Sequence, residues 1–193
     1  MSGITGSTVK TTATEVHFRP MVESDVAGVE KLVQSAYRGG QAAVAWKNEH
    51  DIVRGPRITV DGLKKMLKSP GDLVLVAECQ LAESQAPELY GCVLVEQEDV
   101  ETVVIGMLAV GPASQNMGLG RRLVEAAETA AREHYQARKA HMHVACVRDQ
   151  LLAWYERLGY RATGEMKPFP GPEAGIESLK DGLHFAVIEK RLV

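Results

Sequence analysis

The stretch "ETVVIGMLAVGPASQNMGLGRRLVEAAETAAREHY", residues 101–135, decides how the rest of the chain is read. It opens as an apolar strand over 101–110, turns at Gly111-Pro112, and closes as a helix predicted from about Gly118 to Tyr135. Leu119, Leu123, Ala126, Ala127 and Ala130 fall on one face of that helix, which would pack on a sheet. Gly118 and Gly120 are the weakest helix formers of the stretch, yet they stand where the helix must start. Two explanations fit equally well. One is a tight strand-to-helix turn. The other is a helix N-terminus whose free N–H groups and positive dipole end face an anion, with glycines leaving the backbone open to it. Arg121 and Arg122 flank that start. The loop is neither G-x-x-x-x-G-K-[ST] nor G-x-G-x-x-G, because Arg121, Arg122 and Leu123 follow Gly120.

Outward from this stretch the chain alternates strands and helices. On the N-terminal side, "VHFRP" (16–20) reads as a strand, and a helix capped by Ser24 or Asp25 runs to about Tyr37. Residues 38–57 show no clean period and are expected as a loop. "TVDGLKKMLKSPG" (59–71) starts a second helix, and strands follow at 72–79 and 89–98. Gly106 inside the strand 101–110 hints at a bulge or a close backbone approach. On the C-terminal side come a strand at 140–147, a helix at 149–158 ended by Gly159, a Pro/Gly-rich loop at 167–175 and a last strand from His184. The order βααβββαβαββ predicts a mixed α/β sheet in a single domain, residues 15–193, after a disordered tail, 1–14.

Composition narrows the classes. The chain has 193 residues, 45 % of them hydrophobic and 24 % charged, which suits a globular protein with a proper core. A net charge of −3 and a pI near 6.1 argue against a nucleic-acid surface. No apolar run is long enough to cross a bilayer, so no membrane partner is expected. Cys79, Cys92 and Cys146 are too few and too scattered for a disulfide framework or a zinc ribbon, and a cytoplasmic setting with reduced thiols is expected.

Two motifs together resolve the ambiguity of the glycines. "QNMGLG" (115–120) resembles the Q/R-x-x-G-x-G/A signature of the GNAT acyl-CoA N-acyltransferases. "LLAWYERLGY" (151–160) is similar to that family's A-x-x-x-Y-x-x-x-G-[FY] segment, and the resemblance runs over roughly residues 15–192. It implies a mostly antiparallel sheet flanked by helices and splayed between the fourth and fifth predicted strands, 101–110 and 140–147. It further implies acetyl-CoA as co-substrate. The pyrophosphate would be held by backbone amides of Gln115, Asn116, Met117, Gly118, Leu119 and Gly120, with Arg121 beside them. The pantetheine arm would pair with Leu108, Ala109 and Val110. Met117 departs from the basic residue common at its position, which shifts charge neutralisation to the helix dipole and to Arg121 or Arg122.

The implied chemistry is transfer of an acetyl group to a primary amine by direct attack in a ternary complex. An ammonium of pKa about 10.4 must lose a proton, at a cost near 4.6 kcal/mol at pH 7, so a base or a water chain is needed. The resemblance implies Tyr155 as the acid that protonates the leaving thiol and a backbone N–H, at Leu108 or Ala109, as the oxyanion contact. A plain packing role for Tyr155 beside Trp154 stays open. Glu101 is taken as the base candidate, with Glu96, Glu98 and Glu49 as others. His141 and His143 share one face of a strand and suit a hydrogen-bonded structural role or substrate contact better than a metal site. Arg148 stands near a cofactor-contacting position of the family. Cys146 is read as an inert thiol.

The acceptor site is expected from residues 38–57 and 161–182, with Tyr37, Trp46 and Glu49 as candidate substrate contacts. Their mix of both charges with an aromatic suggests a small polar amine, amino-acid-like or polyamine-like. A non-catalytic acyl-CoA-binding module, or acetylation of a protein N-terminus or lysine, are the alternatives. Assembly as a homodimer is left open.

Overall fold

The computed structural model describes residues 16–38, 52–79, 88–115, 118–171 and 175–193. The predicted tail 1–14, Trp46 and Glu49, and Asn116 and Met117 lie outside these residues. Among the described residues nine strands and four helices follow one another: β1 (Val16–Pro20), α1 (Val26–Arg38), β2 (Val53–Arg54), α2 (Val60–Lys68), β3 (Asp72–Cys79), β4 (Glu88–Gln97), β5 (Thr102–Val110), α3 (Leu119–Tyr135), β6 (Lys139–Ala145), α4 (Asp149–Arg157), β7 (Arg161–Pro168), β8 (Glu177–Ser178) and β9 (His184–Arg191).

Seven strands form one sheet in the order β1-β3-β4-β5-β6-β9-β7. Every neighbouring pair is antiparallel except β5 and β6. That parallel pair holds register only at Thr102↔Lys139, Val103↔Ala140 and Val104↔His141. Beyond Val104 the two strands part, so the expected splay is present. The short β2 precedes the main strands, which moves the splay to between β5 and β6 in chain order.

Apolar side chains cover both faces of the sheet. On one face, Val26, Val29, Val33 and Ala36 of α1 and Leu63 of α2 pack on Val74, Val76, Cys92 and Leu94. On the other, Leu119, Leu123, Val124, Ala127 and Ala131 of α3 pack on Val93, Val95, Val103 and Ile105. The buried face of α3 is thus rotated from the expected one: Val124 and Ala131 are buried, while Ala126 and Ala130 are only half-buried. Glu128 enters this core with its carboxylate paired. It accepts from Lys190 Nζ of β9 at 2.7 Å and from the Tyr160 hydroxyl at 3.0 Å, clasping α3 to the far part of the sheet.

Two local expectations change. Neither Ser24 nor Asp25 caps α1 from in front. A single 3-10 turn over Glu23–Asp25 precedes the helix, and Asp25 reaches back to the Val22 N–H at 2.9 Å and to the Arg19 guanidinium. That guanidinium hydrogen bond, foremost, holds the Asp25 carboxyl below its ordinary range. The second change concerns the two segments expected as acceptor loops. They pair with each other: β2 and β8 form a small antiparallel ribbon, Val53↔Ser178 and Arg54↔Glu177. Gly55 leaves that ribbon at φ +103°, and a Cβ there would collide with the Gly175 carbonyl oxygen. Only glycine lets the two backbones approach so closely.

Candidate active site

The parting of β5 from β6 leaves one edge of β5 without a strand partner, and three contacts show which groups point into the gap. The Met107 carbonyl takes the Cys92 thiol from β4 at 3.8 Å, so in a trans peptide the Leu108 N–H points the other way, into the gap. The Leu108 carbonyl accepts from the Tyr37 hydroxyl at 2.9 Å, and the Val110 carbonyl accepts from Gln115 Nε2 at 3.2 Å. Side chains therefore cover an edge that a strand would otherwise occupy. A bulge makes this possible. The β4–β5 register shifts between Cys92 and Leu94, and Met107 adopts φ 48°. The sequence signal at Gly106 lies one residue early: the left-handed residue is Met107. Gly106 faces open space instead, since a Cβ there meets nothing within 4 Å.

After β5 the chain passes one 3-10 turn, Pro112–Ser114, and enters α3 through Gly118. Gly118 sits at φ 75° and is the N-cap, with no side-chain cap hydrogen bond among the described residues and nothing within 4 Å of an added Cβ. The helix start is open, as an anion site requires. Gly120 has another reason to be small: its Cβ would lie 3.7 Å from the Trp154 ring, in ordinary contact. Of the two flanking arginines, Arg122 turns away. Its guanidinium lies 5.2 Å from the Phe18 ring and donates to the Val16 carbonyl. Arg121 stays exposed beside the helix start, at 3.6 Å from Glu125.

Two cavities meet at this edge. A narrow passage of about 60 Å³ is lined by Val110, Gln115, Gly120 and Trp154, and by the shared residues Tyr37, Leu108, Arg148, Leu151 and Tyr155. A chamber of about 420 Å³ continues from those shared residues across Glu96, Gly106 and His143 to Arg57, Phe169 and Phe185. Tyr155 is buried at the seam, its ring 4.9 Å from Trp154 and 5.9 Å from Tyr160. Burial, then Tyr37, raises its phenol above the ordinary range, and Arg148 works weakly against them. The phenol stays protonated throughout the neutral range.

The candidate residues are distributed unevenly around this seam. Tyr37, Leu108, Val110, Gln115, Gly120 and Tyr155 come together, and the buried Arg148 joins them. Glu101 does not. It stands exposed at the β4–β5 turn, 3.5 Å from Arg138, and lines neither cavity. Its position before β5, at the end where β5 and β6 are still paired, keeps it from the gap. Glu98 is held by His141 Nδ1 at 2.8 Å and Lys167 Nζ at 2.7 Å; desolvation pushes its carboxyl up, but the hydrogen bonds from Lys167 and His141 outweigh it and keep the carboxyl below the ordinary range.

Glu96 is the carboxylate that lines the chamber. Its side chain keeps contact with solvent, yet desolvation first, then Asp72 and Glu98, raises its pKa above the ordinary carboxylate value. His141 takes its expected structural place between Glu98 and Glu189 at 2.8 and 3.1 Å. His143 lines the chamber with its buried Nε2 unpartnered in the structure, and burial lowers its pKa. Sequence reasoning missed Phe185 and the Gln115 amide over Val110. Phe185 carries no local signal, because its neighbours in the chamber come from elements distant in sequence. Gln115 opens the glycine motif, but its hold on the Val110 carbonyl was not part of that reading.

Comparison with known proteins agrees with this geometry. Residues 45–160 match the model of the acetyltransferase (GNAT) family. The chain belongs to that family. With membership comes the enzyme class, an acetyl-CoA-dependent N-acetyltransferase. Similar solved structures include a spermidine N-acetyltransferase from Vibrio cholerae in complex with CoA and spermine. It is 14 % identical, with a TM-score of 0.64, over 92 % of this chain and 95 % of that one. The ribosomal-protein-S18-alanine N-acetyltransferase of Escherichia coli is 13 % identical, with a TM-score of 0.65, over 92 % and 94 %. A putative acetyltransferase of the GNAT family from Desulfovibrio desulfuricans reaches 18 % and 0.64, over 93 % and 100 %. At these identities the likeness is one of fold. No curated protein sequence matched the chain.

Proposed function

We propose that this acetyltransferase moves the acetyl group of acetyl-CoA to the primary amine of a small polar metabolite, by direct attack within a ternary complex. The supporting observation is the meeting of a narrow passage and a wider chamber at Tyr155 and the free edge of β5. The open start of α3 at Gly118, with Arg121 beside it, suits the diphosphate. The backbone groups of Leu108 and Val110 suit an amide-bearing arm laid along β5, once Tyr37 and Gln115 release the carbonyls they hold. When bound, the thioester supplies an activated acyl carbon.

The chain's own groups then divide the work. The Leu108 N–H, aimed into the gap, meets the negative charge that develops on the acetyl oxygen. Tyr155 gives its proton to the departing sulfur, for which a cysteine-like pKa of about 8.5 is the guide. Glu96 receives the ammonium proton, directly or through water in the chamber, in the role first assigned to Glu101. The half-buried Cys146 and buried Cys92 remain thiols, with Cys92 pushed up to about 12 by burial, which suits a reducing cytoplasm.

Tyr155→Phe tests the assignment. Release of free thiol from acetyl-CoA in the presence of an amine panel should fall about 100- to 1000-fold in kcat. Acetyl-CoA affinity by calorimetry should stay within about twofold. Unchanged turnover would remove Tyr155 from the acid role.

A further inference from the structure

The chamber's charge says what sort of amine it takes. Among the described residues, Arg38, Arg57 and Arg148 line it together with the carboxylate of Glu96, and the rest of the wall includes Phe169, Ile176 and Phe185. A polycation such as spermine would meet the wrong sign of charge here. Arg38 is committed to the ribbon, donating to the Gly55 carbonyl at 2.8 Å. Arg57 is placed differently. Gln34 of α1 grips its segment from both sides, accepting from the Arg57 N–H and donating to the Ile58 carbonyl, each at 3.0 Å. The guanidinium lies 5.0 Å from the centre of the Tyr37 ring, and Tyr37 in turn holds the Leu108 carbonyl. No carboxylate among the described residues pairs with the Arg57 guanidinium. A rooted side chain thus carries a forked cation in the chamber, one aromatic ring away from the reacting edge.

Resting on the amine-acceptor reading above, we infer that the acceptor carries an anionic group, a carboxylate in the first instance, which Arg57 binds while the amine faces the seam at Tyr155. The apolar wall of Phe169, Ile176 and Phe185 calls for an apolar body on the same molecule. The substrate class is therefore an apolar amino acid or a close analogue. A guanidinium matches a carboxylate or phosphonate with two parallel hydrogen bonds, and the aromatic face beneath it keeps the fork oriented. The covalent step is the one already described: the amine nitrogen gains the acyl carbon, the C–S bond breaks, and the ammonium proton leaves to the base.

The test uses the full-length chain and paired acceptors: leucine against isopentylamine, phenylalanine against phenethylamine, the phosphonate analogue of leucine, and spermidine. Thiol release should give kcat/KM at least 10-fold higher for each amino acid than for its decarboxylated partner, and spermidine should be poorest. Arg57→Gln should reduce that ratio about 10-fold or more, mostly through acceptor KM, and Arg57→Lys should fall between. Preference for phosphonate over carboxylate would keep Arg57 in its role and assign the anion to the phosphoryl type. Preference for the decarboxylated amines or spermidine, or an unchanged ratio in Arg57→Gln, overturns the inference and leaves amine acetylation standing. Thiol release with none of these acceptors overturns both.

Discussion

The two ends of the gap between β5 and β6 are built in opposite ways. At the narrow end the backbone groups come from one short segment, the free edge of β5 and the start of α3 through Gly118 within residues 104–120, with the side chains of Tyr37, Trp154 and Tyr155 lining the passage beside it. The wide end is made of side chains drawn from the end of α1, the segments flanking the β2–β8 ribbon, β4, β6 and β9. In the proposed reading the first end takes acetyl-CoA, through contacts supplied by one short segment. The second must fit one acceptor, and its fit is assembled from segments far apart in the chain. Recognition of the donor is local and recognition of the acceptor is not.

The contrast can be broken from either side. The largest of these effects is expected in the chamber. Glu96→Gln should lower kcat/KM about 100-fold. Wild-type kcat/KM should fall as pH drops through a value above the ordinary carboxylate pKa of about 4.3, because Glu96 must be ionised to accept a proton. The variant's profile should lose that limb.

The same shift fixes the sign for stability. A carboxyl whose folded pKa is raised contributes stability below its unfolded pKa and loses it as pH rises through the folded value. At neutral pH the variant should therefore melt no lower than the wild type, which thermal unfolding would show. A variant less stable at pH 7 would contradict the desolvation of Glu96.

Gly118→Glu addresses the narrow end alone. A left-handed φ costs a non-glycine residue about 1 kcal/mol or more, and a carboxylate would face the diphosphate. Acetyl-CoA Kd by calorimetry should rise roughly 10- to 100-fold, with Gly118→Ala showing the strain alone as a change of a few-fold. Gly55→Ala addresses the wide end and should give the smallest change. The collision with the Gly175 carbonyl parts the ribbon and moves Arg57, so acceptor KM should rise about 5- to 10-fold. Acetyl-CoA affinity should not move. If Gly55→Ala weakened the donor, the two ends would not be separable as described.

Legibility in the sequence follows the same division. The strand, turn and helix over 101–135 were readable because period, Gly-Pro and helix formers all act within a few residues. Tyr155 was singled out by the resemblance of "LLAWYERLGY" to the family's segment, and it lies where the two cavities meet. The ribbon β2–β8 was not, because two-residue strands carry no period and their partners lie far apart in sequence. Glu101 was singled out because it stands near β5 in sequence, and nearness in sequence does not give nearness to the free edge. Glu101 lies at the paired end, whereas Glu96 is carried into the chamber by β4, opposite Val104. The glycine at 106 pointed to the bulge, but the conformation fell on Met107.

The glycines around the site also bear on how this enzyme can drift through sequence space. At 120 a methyl group has room beside Trp154, so alanine should pass and larger residues should not. At 106 the space is open, so a methyl group can be added without a clash, and it narrows the chamber. At 55 no side chain fits. A lineage changing its acceptor would therefore move at 106 first, while 55 and 118 stay fixed as the frame on which every such change is made.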